Sequence, residues 1–219
     1  MSRHCWRRSN REYRVAFDAE FWDERYGAEK LVYGDKPNDF LAEQVGALTN
    51  GKCLCLAEGQ GRNAIWLARQ GFDVTAVDQS SVGMARAAKQ AEDEGVSLSV
   101  QVANLADYDL GEQRWDAIIA IFAHLPQPLR RHVHEAVVRA LKPGGTFLLE
   151  AYTPRQLEMG GTGGPPNIEL LMSEVDLRDE LAGLDIVIGR EIDREINESE
   201  MHHGMSAVVQ ILARKPKGE

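Results

Sequence analysis

The sequence predicts a doubly wound α/β domain, with a seven-stranded, mostly parallel sheet, an antiparallel terminal strand and helices on both faces. Two observations predict it. From residue 52 onward, short apolar runs of strand length alternate with amphipathic stretches of helical period, the pattern of a parallel sheet covered on both sides by its crossovers. Near the end, two extended runs follow each other with only a short linker around Glu198–Met205 between them, which suits an antiparallel pair at one sheet edge.

Taken in order, Lys52–Ala57 reads as a buried strand. Arg62–Gln70 reads as a helix with Ile65, Trp66 and Leu67 on its apolar side and Gly71 as its C-cap. Phe72–Val77 is the second strand. Ser80 or Ser81 caps a helix through Met84, Ala87, Ala88 and Ala91, which Gly95 stops. Leu98–Ala103 and Trp115–Phe122 are the third and fourth strands, and Arg130–Leu141 is helical. Pro143-Gly144-Gly145 reads as a turn before the fifth strand, Thr146–Tyr152. Asp185–Gly189 and Ala207–Ala213 complete the sheet, and residues 153–168, rich in Gly and Pro, read as a mobile loop. The echo of Arg-Glu-Ile-Asp (190–193) in Arg-Glu-Ile-Asn (194–197) reads as chance.

Bulk properties narrow the function. The 219 residues fit one domain, and an apolar share of 43% is globular. No apolar run approaches the roughly 20 residues of a membrane span. The net charge of −9 argues against a standing nucleic-acid surface. Cys5, Cys53 and Cys55 make an odd count without a secretory signal, which points to a reducing, cytoplasmic compartment. Cys53 and Cys55 read as small core residues of the first strand. Residues 1–14 carry five arginines and no apolar region behind them, so they read as a disordered basic extension, an early start codon or, less simply, a transit peptide; the domain proper is 15–219.

Ligands of an open α/β sheet sit outside the carboxyl ends of the strands, at the switch point of the topology. The first crossover there is Leu56-Ala57-Glu58-Gly59-Gln60-Gly61-Arg62-Asn63. Gly59 and Gly61 allow a sharp turn and a close approach of backbone to ligand, and the helix that follows offers N–H groups to an anion. Asp78, at the end of the second strand, can accept both hydroxyls of a ribose. A nicotinamide dinucleotide fits these features too, since Ala64 supplies the third small residue.

The order of elements resembles class I S-adenosylmethionine-dependent methyltransferases, a Rossmann-like fold, over almost the whole chain after residue 15. Leu-Lys-Pro-Gly-Gly at 141–145 before the fifth strand and the terminal antiparallel pair carry the likeness. The sequence is closer still to the tellurite-resistance and thiopurine methyltransferase-like group, on Phe21-Trp22-Asp23-Glu24-Arg25-Tyr26, Tyr33-Gly34, Pro37-Asn38-Asp39-Phe40-Leu41 and Gly59-Gln60-Gly61-Arg62-Asn63. The resemblance implies S-adenosyl-L-methionine as cofactor, a small-molecule methyl acceptor (a thiol, selenium or tellurium species among the candidates), a monomer or homodimer, and a cofactor-covering role for residues 15–50. It implies that Arg62 faces the methionine carboxylate, with Tyr33, Glu58 and Gln79 also at the cofactor. Asn104-Leu105 would meet the adenine, although Asn104 suits a turn equally. Cys55 and Ala57 depart from the usual acid and glycine, so the partner of the cofactor's amino group is open between Glu58 and a backbone carbonyl. An NAD(P)-dependent oxidoreductase and a non-catalytic cofactor-binding subunit are the alternatives.

The fourth strand ends at Phe122-Ala123-His124-Leu125-Pro126, which should open into the reaction chamber with Phe122 beside the cofactor and His124 as the candidate general base. Trp22, Tyr26, Tyr33 and Tyr152 are candidates for its walls. No metal site is expected: His202 and His203 are adjacent in an extended segment near Glu200, and His132 and His134 are two apart on a helix, so neither pair shares a face.

Overall fold

A computed structural model describes residues 18–27, 31–159, 163–199 and 201–218. The expected basic extension, Cys5 and Glu200 lie outside the described residues. Two helices, α1 (Ala19–Tyr26) and α2 (Asp39–Gln44), precede the sheet. Then follow β1 (Lys52–Leu56), α3 (Arg62–Arg69), β2 (Asp73–Asp78), α4 (Ser81–Asp93), β3 (Ser99–Val102), β4 (Trp115–Ile121), α5 (Gln127–Ala140) and β5 (Leu141–Tyr152). α6 (Glu174–Glu180), β6 (Asp185–Ser199) and β7 (His202–Arg214) close the chain. No helix among the described residues is long and apolar enough to cross a membrane.

The seven strands lie in the order β3-β2-β1-β4-β5-β7-β6. β1 through β5 pair in parallel, and β7 runs antiparallel to both β5 and β6. Chain order reverses between β1 and β4, so the switch-point crevice opens above Leu56 and Ala120, which are register partners.

Alternation along each strand explains the two-sided core. Leu54, Leu56, Ile118, Ala120, Phe147 and Leu149 point to one face and pack with Val133 and Val137 of α5 and Leu177 of α6. Their neighbours Cys53, Cys55, Ala76, Ile119 and Leu148 point to the other and pack with Leu41, Ala64, Leu67, Met84 and Ala87. Both cysteines are free and buried. Ser80 caps α4, its Oγ accepting from the Gly83 N–H at 2.9 Å. Gly71, with φ of 90°, ends α3 as expected.

Three boundaries differ from expectation. Pro143-Gly144-Gly145 lies within β5, where the register slips between Trp115 and Ala117, so it is a bulge in a strand. α5 begins at Gln127, with Pro128 tolerated in the first turn. The segment 198–205 is mostly strand, because β6 and β7 form one long hairpin in which Ser199 faces His202. Within it the four-residue echo has a physical reading. A period of four is also a period of two, so Ile192, Arg194, Ile196 and Glu198 fall on the more buried face and Asp193, Glu195 and Asn197 on the exposed one.

Candidate active site

The crevice is built where β1 and β2 end. Ala57, Gly59 and Gly61 have φ of 50°, 63° and 90°, so the chain doubles back immediately after β1. Asp78 binds this turn: its Oδ2 accepts from the Gly59 N–H at 2.9 Å and its Oδ1 from the Ser80 N–H at 2.8 Å. A carboxylate has about four lone-pair sites, and the Gln79 backbone also bonds it, so only a minority of its accepting capacity is uncommitted. Burial pushes the Asp78 pKa upward. Gln79 follows it, half-buried, at the start of the next turn.

α1 sits over this junction. Asp23 accepts from Ser80 Oγ at 2.5 Å, Ser81 Oγ at 3.1 Å and the Val82 N–H at 3.1 Å. The glycines therefore have protein neighbours that the sequence did not suggest. A Cβ on Gly59 would stand 2.5 Å from Tyr26 Oη, and one on Gly61 would stand 2.6 Å from Ala87 Cβ. Gly59 admits the tyrosine of α1, and Gly61 admits the packing of α3 on α4.

Glu58 and Arg62 differ from expectation. Glu58 Oε1 accepts from the Asn63 and Ala64 N–H groups at 2.9 and 2.8 Å, so the first turn of α3 is capped from within the chain and those amides are not offered to a ligand. Desolvation pushes the Glu58 pKa up to about 7. Arg62 is buried, and its guanidinium meets Glu198 Oε2 at 2.7 Å. Its charge is engaged by that carboxylate.

Two further candidates take different roles. Asn104 is exposed, and its Oδ1 accepts from the Ala106 N–H at 2.9 Å, the turn-forming alternative; the Leu105 side chain joins the core. His124 is the larger correction. Its Nδ1 meets the Leu170 carbonyl at 2.9 Å and its Nε2 accepts from the Tyr152 N–H at 3.4 Å, so both ring nitrogens are engaged. Burial lowers its pKa to about 4. It ties residues 168–170 to the end of β5 and is not poised as a near-neutral base.

Phe122 and Tyr33 belong to one aromatic cluster. Phe122, held at φ of 52°, stacks on Tyr152 at 4.7 Å and takes the edge of His202 at 4.6 Å. Tyr33 lies 4.7 Å from His202 and 6.2 Å from Tyr26, and the Arg25 guanidinium sits 5.6 Å from its ring. A continuous aromatic wall thus runs from Gly59 to Tyr152. Along it, Arg25 Nε, Gln60 Nε2, Tyr152 Oη and His202 Nδ1 are buried without a hydrogen-bond partner among the described residues. Such orphans are rare in a finished interior and mark a site that a polar ligand completes. Arg25 and Gln60 present donors, which a carboxylate requires.

Behind the wall is a buried polar network invisible from local sequence. The Asn38 amide donates to Glu150 Oε1 at 2.8 Å and Glu198 Oε1 at 2.9 Å, and its own backbone N–H donates to Asn63 Oδ1 at 2.9 Å. Arg194 donates to Glu150 Oε1 at 2.6 Å and Glu198 Oε1 at 2.8 Å. These bonds fasten the hairpin and the segment before α2 to the glycine loop. No cluster of three or more His, Cys, Asp or Glu residues suited to a metal occurs among the described residues.

Residues 53–145 match the methyltransferase-domain family. The match spans the glycine loop, Asp78 and the end of β4. The ubiquinone biosynthesis O-methyltransferase of Alkalilimnicola ehrlichii is 34% identical over 150 residues, 64% of this chain and 59% of the relative. That of Xylella fastidiosa is 29% identical over 150 residues, 66% of this chain and 59% of the relative. The chain spans 59% of the length of these curated relatives. Among solved structures, one concerning conversion of a disulfide bond into a thioacetal group in echinomycin biosynthesis superposes with a TM-score of 0.71 at 21% identity, covering 92% of this chain and 93% of that one. TehB from Haemophilus influenzae follows the chain with a TM-score of 0.67 at 18% identity, over 90% of this chain and 66% of its own. At these identities the structures speak for the fold. The [4+2]-cyclase SpnF shares it, with a TM-score of 0.64 at 20% identity over 93% and 98% of the two chains, so the chemistry must be read from the site.

Proposed function

We propose that this chain is an S-adenosyl-L-methionine-dependent methyltransferase acting on a small-molecule nucleophile. The observation that carries the reading is the Gly59–Asp78 junction at the switch point, inside the segment that matches methyltransferase domains. When bound, the cofactor supplies an electrophilic sulfonium methyl group. Asp78 would accept from the ribose with its remaining capacity. Arg25 and Gln60 would bind the carboxylate of the amino-acid end. Asn104-Leu105 borders the adenine through backbone, the Asn104 side chain being spent on its turn. The aromatic wall excludes water and positions the acceptor, which is the chief task for a reaction whose electrophile is already activated.

The acceptor belongs to one of two classes. An oxygen nucleophile follows the naming of the curated relatives. A thiol, selenium or tellurium species is the second reading; the engagement of His124 favours it, because such acceptors ionise without a near-neutral base. Methyl transfer from labelled S-adenosylmethionine to phenols, thiols, selenite, tellurite, halides and small amines tests the proposal. Labelled product from at least one class is expected, and cofactor binding without turnover on any of them would instead identify a non-catalytic subunit.

A further inference from the structure

We propose that Tyr152 and His202 form the acceptor-binding pair of the chamber, and that the group they bind is the hydroxyl of an alcohol or phenol. The inference rests on the methyltransferase reading and adds the acceptor's chemistry to it. Tyr152 ends β5 and His202 begins β7, so the two are brought together by the sheet and not by sequence. Both are buried, and Tyr152 Oη and His202 Nδ1 each lack a partner among the described residues. Both touch Phe122, at 4.7 and 4.6 Å between ring centroids, and His202 is joined through Tyr33 to the wall that reaches Gly59.

Their chemistry selects the ligand. Burial and the neighbouring Glu198 and Glu150 raise the Tyr152 pKa, so Tyr152 stays a protonated donor. Burial and the cations Arg62, Arg25 and Arg194 lower that of His202 to about 3, so its ring stays neutral and, with the proton on Nε2, Nδ1 is an acceptor. The pair therefore asks for one group that both accepts and donates. A hydroxyl does this and keeps a second lone pair for attack on the methyl carbon; as the C–O bond formed and the sulfonium S–C bond broke, its proton would pass to His202 Nδ1. An amine that accepts from Tyr152 has no lone pair left, a thiol is a weak partner on both counts, and an anionic chalcogen has no proton for His202. Gly163 packs against the pair: a Cβ there would stand 2.1 Å from Tyr152 Oη and 3.2 Å from the His202 ring.

The test is calorimetric binding of catechol to the full chain saturated with S-adenosylhomocysteine. Tyr152→Phe and His202→Gln should each weaken catechol binding by about tenfold or more, the scale of a buried hydrogen bond lost, with S-adenosylhomocysteine affinity unchanged. In the unmodified protein, 1,2-dimethoxybenzene, which has no proton to donate, and benzenethiol should bind at least about tenfold more weakly than catechol, a comparison that does not depend on either variant folding. The pair is refuted if the variants bind catechol like the parent, if they lose S-adenosylhomocysteine equally, if the parent complex does not bind catechol, or if benzenethiol or the dimethyl ether binds as well. Failure of the parent to bind S-adenosylhomocysteine strikes the methyltransferase reading instead.

Discussion

Asp78 joins two strands and a turn through single oxygen atoms, and the account gives it a second use at the ribose. Asp78→Ala should weaken S-adenosylhomocysteine binding by about 1.5–3 kcal/mol, the worth of hydrogen bonds to a charged group. Calorimetry on a variant with native circular dichroism checks it, and unchanged affinity would remove the ribose role. Gly59→Val should lower the melting temperature as well as the affinity, because the new side chain drives into Tyr26 and lifts α1. An unshifted melting temperature with lost affinity would mean that the glycine serves only to clear the ligand's path. Glu58 gives a pH signature. Its carboxyl titrates near 7 when folded against an ordinary value of 4.5, so the native state holds a proton that the unfolded chain has released. That contribution is fully present below pH 4.5 and is lost as pH rises to about 7. Urea melts of Glu58→Gln, whose amide oxygen can still cap α3, should show this decline flattened. At this scale the sequence was legible where chemistry is local. Gly59 and Asp78 sit at strand ends and could be found from spacing, whereas the fate of His124 was decided by Leu170, 46 residues away.

Buried ions as well as apolar faces join the elements. Glu180 of α6 receives Arg130 Nη2 at 2.8 Å and His134 Nδ1 at 2.7 Å, and Arg130 also donates to the Leu171 carbonyl at 3.1 Å. His134 is pulled two ways, since Glu180 favours its protonation and burial opposes it; burial prevails and its pKa is lowered. Glu180→Ala strands the Arg130 charge in the core and should cost about 3–5 kcal/mol in denaturant melts, the usual penalty for breaking a buried pair from one side. A loss below 1 kcal/mol would show that water enters α5–α6 freely. The Glu180 carboxyl is held at about 2, so its contribution persists above pH 4.5 and disappears as pH falls towards 2. Strands β1, β2, β4 and β5 were readable because their apolar runs are short and continuous. The β6–β7 hairpin was underestimated for the opposite reason. Its inner face carries Arg194 and Glu198, whose partners Glu150 and Asn38 come from distant parts of the chain, so a paired strand looked like a polar linker.

For the molecule as a whole, the doubly wound order could be read from sequence because alternating crossovers leave few right-handed arrangements of a parallel sheet. What the chain does at its switch point depends on contacts between β1, β2, β5 and the final hairpin that no local pattern encodes. The fold is shared by proteins of different chemistry, so the identity of the cofactor calls for a direct test. Isothermal titration of the full chain with S-adenosylhomocysteine, and in parallel with NADH, provides it. One-to-one binding of S-adenosylhomocysteine in the micromolar range, with a melting temperature that rises with ligand concentration by mass action and no response to NADH, is the predicted result. Binding of NADH without S-adenosylhomocysteine, or of neither, would contradict the account.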